Sequence, residues 1–244
     1  MIKLLKILFK RYINKFGFEL KPTGQGYFCP YTVVPLAKEK NMSLCEYLET
    51  YNEGGVGKRR DYIVEKLFSI LPKSISSILE IGTGTGMYLE KLYPHYTPKK
   101  YEVYETALSW VQYLKEEYKD LKQIQYHSAD GKTLWQTKTE SIDLVTSHGV
   151  FVYLPLISSV QYLDEMYRAC TKSGYIVFDC FTDENFSLPT VNDWLKEEHE
   201  YRFPVLIPVK IINAYALKNN LELVSKFEVN YHASFSTYYI LKKL

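Results

Sequence analysis

From residue 77 onward the chain alternates short apolar runs with helix-like stretches, and this alternation restricts the fold more than any other feature. "SILEIG" precedes "MYLEKLY", "KYEVYE" precedes "ALSWVQYLKEEY", and "SIDLVTS" precedes "ISSVQYLDEMYRACT". "IQYHSAD" adds a strand before a polar stretch, and "GYIVFDCF", the helix-like "PVKIINAYALKNN", "LELVSKFEV" and "STYYILKKL" complete the series. Strands that alternate with helices predict an α/β fold with helices on both faces of a parallel sheet. The expected architecture is a Rossmann-like, doubly wound, seven-stranded, mostly parallel sheet. The last two strands are joined only by "NYHASF". That connection is too short for a parallel crossover, so the last strand is expected to run antiparallel.

At 244 residues the chain has room for a substantial apolar core. Its 23 tyrosines combine apolar area with a polar tip, which suits half-buried positions. The formal charge of +2 gives no general attraction to a polyanion. Cys29, Cys45, Cys170 and Cys180 form no CxxC pair and no zinc spacing, so they read as reduced thiols of a cytoplasmic protein, with no metal site expected. No apolar run approaches the ~18 residues of a membrane-spanning helix.

Ahead of the alternating region, residues 1–58 are expected to form a helical extension and residues 59–244 the main domain. "MIKLLKILFKRYINKFGFELK" places apolar residues at helical spacing among lysines and arginine. Such a helix can lie weakly on an anionic membrane surface, dock on its own domain, or meet a sister subunit in a homodimer. "KPTGQGYFCPYTVVP" has the punctuation of a loop, while "MSLCEYLETYN" and "GKRRDYIVEKLFSIL" read as helices. Met42-Ser43 marks the start of the first, and Gly54, Gly55 and Gly57 separate the pair.

The glycines after the first strand read Glu80-Ile-Gly82-Thr83-Gly84-Thr-Gly86. A dinucleotide fingerprint beginning at Gly82 would need glycine where Met87 stands, and no Gly-Lys pair follows to make a phosphate loop. The pattern resembles the first motif of class I S-adenosylmethionine-dependent methyltransferases. In that family the acid at the Glu80 position lies near the cofactor's ammonium group. Gly82 and Gly84 let backbone approach the ligand without a Cβ in the way, and Gly86 completes the expected cofactor-binding turn. Glu105 ends the next strand, where the family's acid accepts from both ribose hydroxyls, as the two oxygens of a carboxylate can. Asp130 ends the third, where the family's acid meets the adenine amino group. Thr83, Thr106, Gly131 and Ser147 flank these positions, and "SIDLVTSHGVFVYL" matches the fourth strand and the loop to the acceptor pocket. The resemblance therefore implies S-adenosyl-L-methionine as cofactor and S-adenosyl-L-homocysteine as product.

The stretch from "KYEVYETALSW" through "SHGVFVYLP" to "SGYIVFDCF" is more narrowly similar to methyltransferases encoded with bacterial capsule and lipooligosaccharide genes, which often open on a basic helix ending like "FGFEL". That likeness implies an acceptor that is a nucleotide-linked sugar, a growing glycan or a phosphoramidate-like substituent. A sugar hydroxyl benefits from a general base. His148, just past the fourth strand, and Asp179, at the end of "YIVFD", are the candidates, against the plainer readings of a loop-shaping histidine and a backbone-bonded carboxylate. Tyr231 and His232 could line the acceptor pocket. Arg59 and Arg60 could reach a carboxylate or phosphate, although a solvated helix face is the default. Trp194 and "FPVLIP" could form a lid.

Three rival functions stand beside this reading. A nucleobase methyltransferase usually carries an "NPPY"-like loop where this chain reads "SHGV", and a strong basic excess that is missing here. A metal-assisted enzyme would need more converging carboxylates than Asp179 and Asp183. A non-catalytic scaffold that binds the cofactor would keep the same strand-end acids.

Overall fold

The computed structural model describes residues 30–51, 56–189, 191–192, 205–231 and 234–244. The expected N-terminal basic helix, Trp194 and His232 lie outside the described residues. Seven strands form one sheet: β1 (Ser77–Ile81), β2 (Lys100–Glu105), β3 (Ile124–Ser128), β4 (Ile142–Ser147), β5 (Cys170–Cys180), β6 (Leu221–Tyr231) and β7 (Ser234–Lys243). Their spatial order is β3-β2-β1-β4-β5-β7-β6. The first five strands pair in parallel, and β7 runs antiparallel between β5 and β6, as the short final connection predicts. The chain winds outward in opposite directions from β1 and β4, and at such a switch point a crevice opens beyond the carboxyl ends of the strands.

Side chains alternate across the sheet with the period of two that strands impose. Ile78, Tyr101, Val103, Leu144, Val177 and Ile240 face α3 (Val56–Ile70), α4 (Leu89–Tyr96) and α5 (Leu108–Glu117) through Ile63, Leu67, Leu89, Leu92 and Leu114. Leu79, Ile81, Tyr104, Val145, Phe178 and Tyr239 face α6 (Leu156–Ala169) and α7 (Val209–Lys218) through Leu163, Met166 and Ile212. Burying each such side chain contributes ~2 kcal/mol, so the two faces hold the sheet from both sides. Among the described residues no helix is long and apolar enough to cross a membrane.

A third, smaller core lies ahead of the sheet. α1 (Pro30–Glu39) and α2 (Leu44–Tyr51) bury Val33, Ala37, Leu44, Tyr47 and Leu48 against Trp110 of α5. Ser43 caps α2 as expected: its N–H donates to Glu46 Oε2 at 2.8 Å and its Oγ accepts the Glu46 N–H at 3.2 Å.

Four boundaries differ from the sequence reading. Residues 30–35, expected in a loop, belong to α1. Pro30 is its first residue, where a missing N–H costs nothing, and the Val33–Ala37 stripe holds the helix through Pro35. α3 begins at Val56, so Gly57 is helical and the helix crosses the expected domain boundary at 58. Cys170 and Thr171, expected in α6, open β5, where the β4 pairing skips from Cys170 to Tyr175 around an irregularity. "NYHASF" is mostly strand, because Asn230 pairs with Phe235 and Tyr231 with Ser234, leaving only two residues between β6 and β7.

Candidate cofactor and acceptor site

A cavity of about 270 Å³ opens at the carboxyl ends of the parallel strands. Ile81 at the end of β1 and Gly82, Gly84 and Thr85 of the glycine turn form one wall, and Tyr104 of β2 continues it with Thr106 and Trp110 beyond that strand. Ala129 and Gly131 follow β3; His148, Gly149, Val150, Tyr153 and Leu154 follow β4; Tyr162 comes from α6.

The glycine turn is shaped by its neighbours. Gly82 has φ +69°, and a Cβ there would lie 2.3 Å from Val150 Cγ2. Glycine at this position therefore lets the β1 turn close against the β4 loop, a packing demand distinct from ligand approach. Gly86 lies off the cavity, against Leu114 and Tyr118. Thr83 is buried, with its Oγ1 donating to the Glu80 carbonyl at 3.4 Å.

Glu80 sits in the face of β1 opposite Leu79 and Ile81, buried to 1 % exposure and absent from the cavity wall. Its Oε2 accepts from the Tyr101 hydroxyl at 2.6 Å. Burial pushes its pKa up to about 7; the Tyr101 hydrogen bond opposes the rise and the nearby Glu105 charge adds to it. Glu105 is buried too, beneath the wall formed by Gly84 and Thr106. Its Oε2 accepts the Gly84 N–H at 2.8 Å and its Oε1 the Ala107 N–H at 2.8 Å, so one carboxylate fixes both the glycine turn and the start of α5.

Asp130 is exposed, and its carboxylate closes a turn. Oδ1 accepts the N–H groups of Lys132 at 2.9 Å and Thr133 at 2.7 Å, while Oδ2 accepts the Thr133 hydroxyl at 2.6 Å. Its neighbours Ala129 and Gly131, not its own side chain, meet the cavity. Ser147 ends β4, fully buried, and its hydroxyl has no hydrogen-bond partner among the described residues.

His148 is on the cavity wall, and both ring nitrogens are engaged. Nε2 lies 2.8 Å from Thr146 Oγ1, Nδ1 lies 3.3 Å from the Tyr238 hydroxyl, and the ring stacks on Tyr88 at 3.7 Å. Burial drives its pKa down to about 3, so the imidazole is neutral across the physiological range. Asp179 does not reach the wall. Its Oδ1 accepts the Gly149 N–H at 2.6 Å and its Oδ2 accepts the Ser236 hydroxyl at 2.7 Å. Burial raises its pKa to about 6 against those two bonds.

The remaining expectations divide. Arg60 is buried, not solvated: it pairs with Glu90 at 3.1 Å and ties α3 to α4. Asp183 caps α7 by accepting the Val209 N–H at 2.7 Å. The described part of the expected lid is a strap, with the Val205 N–H bonded to the Val152 carbonyl and the Ile207 N–H to the Phe181 carbonyl. Among the described residues no cluster of His, Cys, Asp and Glu is placed to hold a metal ion.

A family model described as a methyltransferase domain matches residues 79–178, which contain the glycine turn, Glu105, Asp130 and the His148 loop. Residues 79–178 thus match a methyltransferase domain, within a fold shared with S-adenosylmethionine-dependent methyltransferases. A malonyl-[acyl-carrier protein] O-methyltransferase of Marinomonas sp. (strain MWYL1) is 27% identical over 146 residues, covering 58% of this chain and 52% of that protein. The match thus spans about half the length of that curated relative. The N-methyltransferase NodS from Bradyrhizobium japonicum WM9, in complex with S-adenosyl-l-homocysteine, superposes with a TM-score of 0.58 at 18% identity, over 77% of this chain and 86% of that one. Magnesium protoporphyrin IX methyltransferase (ChlM) from Synechocystis PCC 6803, with bound SAH, gives a TM-score of 0.60 at 12% identity, over 98% of this chain and 100% of that one. These two likenesses concern the fold.

The residues of this methyltransferase domain fit a nucleoside cofactor. Gly131 and Gly149 line the cavity, and a Cβ added at either would meet nothing within 4 Å, so both hold backbone at the edge of open space. Beneath the opposite edge lies the Glu105 carboxylate, each oxygen of which can accept more than one donor. Several wall residues carried no motif. Tyr104 and Tyr162 are aromatic positions in ordinary amphipathic patterns, and Trp110 reads only as the buried side of a helix. Gly149 did leave a signal, as a glycine immediately after a strand.

Proposed function

We propose that the chain transfers a methyl group from S-adenosylmethionine to an oxygen acceptor. The supporting observation is one cavity bordered by the glycine turn, by Thr106 with the buried Glu105 carboxylate beneath it, and by the His148–Leu154 loop. The cofactor supplies a methyl carbon made electrophilic by its sulfonium. Gly84 and Thr106 would border the ribose, with Glu105 accepting from its hydroxyls. Ala129 and Gly131 would lie along the base. Methyl transfer is an in-line displacement, so the protein's part is to align the acceptor and exclude water. His148, Tyr153 and Tyr162, polar-tipped side chains on the cavity wall, would serve that alignment.

A sugar or nucleotide-linked sugar hydroxyl in surface polysaccharide synthesis is the acceptor supported by the capsule-type resemblance. A carboxylate acceptor is a second reading, supported by the malonyl-[acyl-carrier protein] relative and by His148, whose nitrogens are already engaged. A carboxylate is ionised at neutral pH and needs no base, whereas a hydroxyl gains from one. Purified full-length chain, radiolabelled S-adenosylmethionine and the two acceptor classes, nucleotide sugars and malonyl thioesters, test both. Label in the sugar fraction supports the first reading. Label only in a thioester fraction establishes the second, and label in neither overturns the oxygen-acceptor assignment.

A further inference from the structure

We propose that the α1–α2 helical pair is a working part of the cofactor site and acts on it through Trp110, which makes Trp110 a positioning residue. This rests on the cofactor reading above. Trp110 belongs to two structures at once. It lines the cavity beside Thr106, and among the described residues it is the single sheet-domain residue in the buried set of the third core, with Val33, Ala37, Leu44, Tyr47 and Leu48. At 1 % exposure its indole fills the space between the helical pair and the cavity. A polar tie, Tyr31 Oη donating to Gln112 Oε1 at 3.2 Å, holds α1 to the same helix.

The short path from Trp110 to the Glu105 carboxylate gives the coupling its physical basis. Glu105 Oε1 holds the Ala107 N–H, and the Ala107 carbonyl accepts the Trp110 N–H at 2.9 Å to start α5. Undocking α1–α2 would expose one face of the indole to water and remove the packing that fixes its rotamer. The aromatic wall and the first turn of α5 would then be set less firmly, and the Glu105 shelf with them. A ligand that needs this wall pays more to bind when the pair is loose. Linkage is reciprocal, so bound ligand must also favour the docked pair.

The test uses the full chain and S-adenosylhomocysteine as probe. Calorimetry gives the affinity of the unmodified chain, of Ala37→Glu, which places a charge in the third core, and of the milder Leu48→Ala. We expect both to weaken binding, Ala37→Glu by about tenfold or more, a usual size for coupled sites. Trp110→Phe should keep more affinity than Trp110→Ala. Hydrogen exchange on the unmodified chain needs no substitution: the probe should slow exchange of α1–α2 backbone amides. Leaving Trp110 as the sole tryptophan, by Trp135→Phe and Trp194→Phe, should give an emission change that saturates at the calorimetric Kd. If the unmodified chain binds the probe while exchange in α1–α2 is unchanged and both core variants bind equally well, this inference is wrong and the cofactor reading stands. If the unmodified chain does not bind the probe, both are overturned.

Discussion

The Glu105 carboxylate accepts the Gly84 N–H at 2.8 Å across the tips of β1 and β2, so the acid expected to hold ribose also fixes the glycine turn. Glu105→Ala should therefore lose affinity and stability together. We expect S-adenosylhomocysteine binding weakened by at least about tenfold, and unfolding free energy lowered by about 1–3 kcal/mol as the Gly84 and Ala107 N–H groups lose their acceptor. Glu105→Gln keeps one carbonyl acceptor and should fall between. Calorimetry and denaturant titration read the two effects separately.

Glu80 gives a prediction of sign. Its folded pKa of about 7 lies above the ordinary 4.5. A raised folded pKa means the contribution is fully present below about pH 4.5 and is lost as pH rises through about 7. That span corresponds to about 3 kcal/mol as an upper order of magnitude. Asp179, raised from 3.8 to about 6, adds a smaller loss in the lower part of the same window. Unfolding free energy measured from pH 5 to pH 8 should fall with pH, and Glu80→Gln should flatten most of that fall.

Asp179 separates positioning from acid–base chemistry. Its oxygens hold Gly149 and Ser236, so Asp179→Asn, which keeps an acceptor for Gly149 and offers a donor to the serine hydroxyl, should retain most turnover. Asp179→Ala should lose at least about tenfold in kcat with little change in cofactor affinity, because the His148–Leu154 wall loosens. Equal loss in both variants would assign the carboxyl a chemical role.

His148 is neutral well below pH 6, and its ring is held by Thr146 and Tyr238. The rate–pH profile should therefore contain no step between pH 5 and 8 that disappears in His148→Gln. His148→Ala should lower turnover while leaving S-adenosylhomocysteine affinity largely unchanged, because its ring shapes the wall after β4.

Much of this was legible before the structure, for reasons that differ by residue. Glu80, Glu105, Asp130 and Ser147 fall within a residue or two of strand ends because apolar runs locate strands well. What each side chain does there depends on register and face, which the runs alone do not supply. The Glu80–Tyr101 bond joins positions 21 apart, across a pairing that sets Glu80 opposite Val103. The turn at Asp130 had a local signal, the Asp-Gly-Lys-Thr run, since aspartate readily accepts from the backbone just beyond it. Trp110 had none, because its second set of neighbours comes from α1 and α2, over 50 residues earlier in the chain. α1 itself was hidden behind two prolines, one tolerated at a first turn and one carried by packing.

A crystal structure of the full chain grown with S-adenosylhomocysteine tests the cofactor site outright. The nucleoside should lie across the tips of β1 and β2, its ribose hydroxyls within hydrogen-bond distance of Glu105 and its base beside Ala129 and Gly131. Density for the ligand elsewhere on the protein, or a ribose that makes no contact with Glu105, would contradict this placement.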